Sequence, residues 1–164
     1  MTDPLAQRVV ETLKEMRRTL ATAESCTGGL LASRITDVSG ASDVFGFGWV
    51  VYANEAKMSQ LGVESRLLES YGAVSEQVAQ AMAAGARRVA KSDYALALTG
   101  VAGPNGGTPA KPVGTVFIAL ATAAGVQVKK CFFSGDRWEI KRQASDAALE
   151  MLEASLSHGN QFSF

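Results

Sequence analysis

The chain has 164 residues, of which 47% are apolar and 20% charged, the composition of an ordinary soluble domain rather than a disordered, collagenous or membrane-spanning chain. Its 16 Lys plus Arg balance its 16 Asp plus Glu, so no global field draws in nucleic acid or anionic lipid, and any anion must be bound locally. The N-terminal segment MTDPLAQRVVETLKEM lacks the basic and apolar regions of a secretory leader, and no apolar run spans a bilayer, so the expected address is cytoplasmic with no membrane partner.

In chain order, Leu5, Val9, Val10 and Leu13 recur at helical spacing and predict a helix over residues 5–17. A short strand over 19–23 follows. After a polar turn, Leu30, Leu31, Ile35 and Val38 predict a second helix that ends at Ser39-Gly40. Residues 44–53, VFGFGWVVYA, are aromatic and β-branched and predict a strand in which Trp49 is a core residue. Asn54 is then a candidate cap for a short helix carrying Lys57. Ser75 opens a longer helix with Val78, Met82, Ala86 and Val89 on one side. Residues 94–98 read as a buried strand running into the Gly/Pro-rich loop 99–112. Residues 113–122 and 126–133 predict a hairpin, and apolar spacing from Trp138 to about Ser155 a final helix. With no internal repeat or linker, the order α, β, α, β, α, α, β, β, β, α predicts one mixed-sheet domain, its core over about 5–156 and a polar tail at 157–164, with helices on both faces.

Residue counts narrow the chemistry. Cys26 and Cys131 are the only cysteines, too few for a disulfide framework or a zinc site, so no metal or cofactor is expected. The one histidine, His158, falls in the expected tail beyond the last helix, which leaves no imidazole for a Ser-His or Cys-His mechanism. Any activated hydroxyl must give its proton to another group.

Ser25, in Glu24-Ser-Cys-Thr-Gly-Gly29, stands where a strand ends and a helix begins, and free backbone N–H groups there favour developing negative charge. It reads either as a nucleophile with Cys26, Thr27, Gly28 and Gly29 supplying an oxyanion hole, or as a plain cap shared with Thr27. The motif is not the G-x-S-x-G elbow. Cys26 is a rival nucleophile or a small buried residue. Lys57 is a surface charge or, if desolvated, the base of a Ser-Lys arrangement, with Tyr52 nearby. Gly100 to Gly107 follows a strand without matching a phosphate-loop pattern. Arg137 is either a bidentate donor to a phosphate or carboxylate, or a surface charge behind an Asp136 cap. Arg17-Arg18 and Arg87-Arg88 lack interleaved aromatics and read as solvated helix faces, not a nucleic-acid platform.

Seven ordered blocks carry a resemblance: Ala23-Glu-Ser-Cys-Thr-Gly-Gly-Leu-Leu-Ala32, Val51-Tyr-Ala-Asn-Glu-Ala-Lys57, Leu61-Gly-Val63, Gly72-Ala-Val-Ser75, Thr99-Gly-Val-Ala-Gly-Pro104, Lys111-Pro-Val-Gly-Thr115 and Gly135-Asp-Arg137. Together they resemble the C-terminal domain of the competence/damage-inducible CinA proteins, which also occurs alone as nicotinamide-nucleotide amidase. The resemblance implies an α/β three-layer α/β/α sandwich on a mixed, mostly parallel sheet with an antiparallel hairpin. It also implies hydrolysis of nicotinamide mononucleotide to nicotinate mononucleotide and ammonia. In those terms Ser25 is the nucleophile, Lys57 and Tyr52 handle its proton, and the loop residues Thr99, Gly100, Gly103, Asn105 and Gly106 join Arg137 around the nucleotide. The alternatives are a non-catalytic nucleotide-binding module and an amidase for another small carboxamide. Phe47 and Ala53 depart from the family pattern and are expected to reshape the pocket. The expected partners are the nucleotide substrate and a second copy of the chain, as a dimer.

Overall fold

The computed structural model describes residues 3–159. Helix α1 (Pro4–Met16) starts with Pro4 in its first turn, and the Asp3 side chain accepts from the Leu5 and Ala6 amides. Strand β1 (Leu20–Glu24) leads through the Ser25–Gly29 turn into α2 (Leu30–Thr36), and a 3₁₀ turn at Ala41–Asp43 precedes β2 (Phe45–Val50). Three helices follow, α3 (Asn54–Leu61), α4 (Ser65–Tyr71) and α5 (Glu76–Ala90). Then come β3 (Tyr94–Gly100), β4 (Thr115–Thr122), β5 (Gly125–Phe132) and α6 (Arg137–Gly159).

The five strands form one sheet in the order β2-β1-β3-β4-β5. β1 pairs in parallel with β2 and β3, while β4 runs antiparallel to both β3 and β5, so only β4 opposes the common direction. The two sheet faces are chemically different. Leu20, Leu96, Leu98, Val116, Ile118 and Leu120 point to the side covered by α1, α2 and α6. Ala21, Ala23, Ala95, Ala97, Ala119 and Ala121 point to the other, where Val78, Ala79, Met82, Ala83 and Ala86 of α5 pack. An alanine surface lets α5 lie close to the strands. At Gly85 the approach is closer still, since a Cβ there would come 2.1 Å from the Leu61 carbonyl oxygen of α3. The chain after β1 turns to the leucine side and the chain after β2 to the alanine side. This divergence opens a crevice at the carboxyl ends of β1 and β3, where open α/β sheets bind ligands.

Several expectations need correction. α4 was not foreseen: its sequence, SRLLESY, has no capping side chain and buries no residue fully, so it carries no strong periodic signal. Ala53 occupies the cap position of α3 and Asn54 is its first residue. Val89 is exposed, because the buried stripe of α5 ends at Ala86. β2 stops at Val50, since the next two carbonyls turn inward. His158 belongs to α6, where its Nδ1 meets the Ala154 carbonyl, so residues 157–159 of the expected tail are helical. The remaining tail residues lie outside the described residues. Trp49 is only half-buried, stacked on Phe47 with ring centroids 5.7 Å apart along the β2 edge.

Candidate active site

The turn after β1 depends on the preceding residue, Glu24. Its side chain is fully buried, and its Oε1 accepts from the Thr27 hydroxyl at 2.7 Å and the Leu31 amide at 2.8 Å, while Oε2 accepts from the Ala32 amide at 3.1 Å. These bonds satisfy the open N-terminus of α2, whose cap position, Gly29, makes no side-chain bond. Neither Ser25 nor Thr27 is therefore spent as an ordinary cap. Gly28 and Gly29 turn the chain at φ 62° and 100°, a left-handed conformation that glycine adopts without strain.

With the cap supplied by Glu24, the Ser25 hydroxyl faces another partner. Its backbone N–H donates to the Leu98 carbonyl of β3 at 3.0 Å, which fixes the residue at the sheet end. Its Oγ accepts from Lys57 Nζ at 3.0 Å. Lys57 is 1% exposed, and its Nζ also donates to the carbonyls of Val51 at 2.8 Å and Tyr52 at 3.2 Å. No carboxylate pairs with it among the described residues. Burial pushes its pKa below the ordinary lysine value, and only the nearby Cys26 thiol acts the other way.

The geometry also sorts the remaining candidates. Burial pushes the Cys26 thiol up to about 12, against the smaller opposing influence of the Lys141 and Lys57 charges, so it is not ionised at neutral pH. Gly28 N–H closes the turn onto the Ser25 carbonyl at 3.1 Å and is not a free oxyanion donor. The Cys26, Thr27 and Gly29 N–H groups make no hydrogen bond among the described residues. Tyr52 is 62% exposed, and its hydroxyl accepts from Arg137 at 2.9 Å instead of meeting Ser25 or Lys57. Its backbone carbonyl, rather than its phenol, touches the lysine.

A cavity of about 190 Å³ opens onto Ser25, lined by Tyr52, Lys57, Ala73, Thr99, Ala102 and Arg137, with Cys26, Val74 and Gly100 completing its wall. No acidic residue lines it. Thr99 ties β3 to the segment before α5 by donating to the Ala73 carbonyl at 2.8 Å. Arg137, the first residue of α6, donates to the Gly103 carbonyl at 2.6 Å as well as to Tyr52. It is freed to do so because Asp136 and Glu139 cap the helix reciprocally, each accepting from the other's amide. Asp136 thus caps the helix as expected, while the exposed Arg137 side chain lines the cavity. Asn105 and Gly106 are exposed and do not line it, nor does Ala53; Phe47 lies 51% exposed on the β2 edge and does not narrow it.

Glu24, Ala73, Val74 and Ala102 escaped the sequence reading. Glu24 left a signal, an acidic residue ending an otherwise apolar strand just before a helix start. The other three act through backbone and small bulk, for which no residue pattern exists. Larger clefts along α6 beside Trp138 and Arg142 contain neither Ser25 nor Lys57. No helix among the described residues is long and apolar enough to cross a membrane, and none of their His, Cys, Asp or Glu side chains form a metal-holding group.

Comparison with known proteins agrees over nearly the whole chain. Residues 2–156 match the model of the CinA C-terminal domain. A CinA-like protein of Geobacter sulfurreducens is 55% identical over 148 residues, covering 90% of this chain and 36% of the relative. The chain thus spans little more than a third of the length of the curated relatives it matches. Among solved structures, a competence/damage-inducible protein from Agrobacterium tumefaciens superimposes with a TM-score of 0.90 at 41% identity, over 93% of each chain. A CinA superfamily protein from Klebsiella pneumoniae gives 0.92 at 35% identity, over 96% of this chain and 99% of that one.

Proposed function

The chain belongs to the CinA C-terminal domain family, and from that premise we propose that it is an amidohydrolase that converts nicotinamide mononucleotide to nicotinate mononucleotide and ammonia. The observation that carries this reading is the buried contact between Lys57 Nζ and Ser25 Oγ, a hydroxyl and an amine with no imidazole or carboxylate between them.

The two carbonyls around Lys57 decide how that contact works. Carbonyl oxygens only accept, so a neutral Lys57 amine gives its two N–H bonds to Val51 and Tyr52 and turns its lone pair toward Ser25. Lys57 takes the Ser25 proton as Oγ attacks the carboxamide carbon. The C=O electrons move onto oxygen, where the Cys26 and Thr27 N–H groups receive the charge. The intermediate collapses by breaking the C–N bond, and Lys57 returns the proton to the departing nitrogen to give ammonia. Water, deprotonated by Lys57, then cleaves the acyl-enzyme and restores Ser25. The lowered pKa of Lys57 supports this role, since a base must be neutral near the working pH.

The cavity of about 190 Å³ is smaller than the ~300–1,000 Å³ typical of sites that enclose a whole ligand, and suits the planar carboxamide end of a nucleotide. The sugar and phosphate then lie at the mouth beneath Arg137. Phe47 and Ala53, the departures from the family pattern, lie outside the cavity. Incubation with nicotinamide mononucleotide is expected to release ammonia, and Ser25→Ala is expected to abolish the release while keeping the thermal unfolding of the parent. Activity that persists in Ser25→Ala refutes the assignment.

A further inference from the structure

One cation near the cavity has no part in the proton transfer. Lys141 lies four residues after Arg137 on α6, so the two side chains share a helix face. A Cβ built on Gly28 would come 3.5 Å from Lys141 Nζ, which sets the ammonium over the turn that follows Ser25. It makes neither an ion pair nor a hydrogen bond among the described residues. Arg137 is likewise held only by neutral oxygens, those of Gly103 and Tyr52. Nearby carboxylates do not answer these charges: Glu24 is committed to Thr27 and the α2 amides, and Glu139 to the Asp136 amide. In a chain whose formal charge sums to zero, Arg137 lines the cavity and the Lys141 ammonium stands over the adjoining turn, neither answered by a carboxylate.

We infer that Lys141 receives a phosphate monoester of the substrate, one helical turn from Arg137, and thereby selects phosphorylated over unphosphorylated carboxamides. The inference rests on the amidase reading and adds a specificity-determining residue to it. A phosphate dianion has oxygens enough to take the Lys141 ammonium and the Arg137 fork together, and charge-assisted bonds to it are the strong kind. A carboxamide without that group gains nothing from Lys141.

The test pairs turnover with binding. Ammonia release is measured for Lys141→Gln and Lys141→Arg with nicotinamide mononucleotide and with its dephosphorylated nucleoside. Inorganic phosphate binding is measured by calorimetry on the otherwise intact protein and on Lys141→Gln. Lys141→Gln is expected to raise KM for the nucleotide about tenfold, from the usual worth of a charge-assisted bond, and to narrow the preference over the nucleoside. It is expected to weaken inorganic phosphate by a similar factor, and Lys141→Arg to retain most of both. Equal losses on nucleotide and nucleoside overturn the inference, as does phosphate binding that is absent from the parent or untouched by Lys141→Gln. If neither compound releases ammonia, the amidase reading falls and the phosphate arm still decides Lys141.

Discussion

Replacing Glu24 with Gln tests whether a buried carboxylate builds the turn that presents Ser25. Glutamine keeps one oxygen, which can retain the Thr27 hydroxyl and Leu31 amide, but its NH₂ must then face the Ala32 N–H that Oε2 accepts at 3.1 Å. The loss of one charge-assisted bond costs about 1.5–3 kcal/mol, and weakening two others to neutral bonds about 1 kcal/mol each. Relief from burying a charge offsets part of this, leaving about 3 kcal/mol, a large share of the ~5–15 kcal/mol that holds a domain together. At roughly 2–4 °C per kcal/mol for a chain of this size, the melting temperature should fall by about 10 °C. Thermal unfolding by circular dichroism at neutral pH reads this directly. Ammonia release should fall with it, because the Cys26 and Thr27 amides ride on the same turn. A variant that melts within about 2 °C of the parent refutes the role given to Glu24, since a loss that small is below a single neutral hydrogen bond for this chain length.

Substitutions at Lys57, Tyr52 and Gly85 probe the site and its supports. Lys57→Met should lower kcat by about 10²–10⁴-fold, the usual range for removing a general base. The Lys57 pKa lies below 10.5 in the folded chain, so the unfolded chain binds more protons between the two values. Its contribution to stability is present above 10.5 and lost as pH falls through the folded value; the stability of Lys57→Met relative to the parent should therefore rise toward lower pH, as chemical denaturation across pH would show. By the same shift, the parent's kcat should climb with pH along a limb that ends below 10.5. Tyr52→Phe should cost less than about tenfold in kcat, because the phenol meets Arg137 and not the Ser25–Lys57 pair; a loss on the order of 10² or more would return the phenol to the proton path. Gly85→Ala should lower the melting temperature by several degrees, since its methyl would overlap the Leu61 carbonyl and overpacking costs about 1–3 kcal/mol.

The elements with strong periodicity were readable from the residues alone. The faces of α1 and α6, that of α5 as far as Ala86, and the β4–β5 hairpin stand where apolar spacing put them, whereas α4, with no buried residue, left no such mark. At the site, the missing imidazole and the position of Ser25 narrowed the chemistry, but the partnership with Lys57 spans 32 residues and depends on β1 and β2 lying side by side, which local pattern does not encode. Tyr52 shows the limit plainly. The family resemblance implies a proton-handling phenol, yet the strand end turns its carbonyl inward and its ring out. The resemblance also implies Asn105 and Gly106, but of that loop only Thr99, Gly100, Ala102 and Gly103 reach the cavity or the Arg137 side chain.

The hydroxyl and the amine come from one uninterrupted β1–α2–β2–α3 stretch, whereas Ala73, Thr99, Ala102 and Arg137, which shape the space in front of them, come later in the chain. On the amidase reading, the reactive pair and most of the cavity wall thus come from different tracts, joined where the Ser25 amide donates to the Leu98 carbonyl. A recombinant joining two relatives at the loop after Leu61 would inherit its reactive pair from one parent and most of its selectivity from the other. Exchange of the downstream tract would vary most of the cavity wall, with the register of β3 kept so that the Leu98 carbonyl still receives the Ser25 amide.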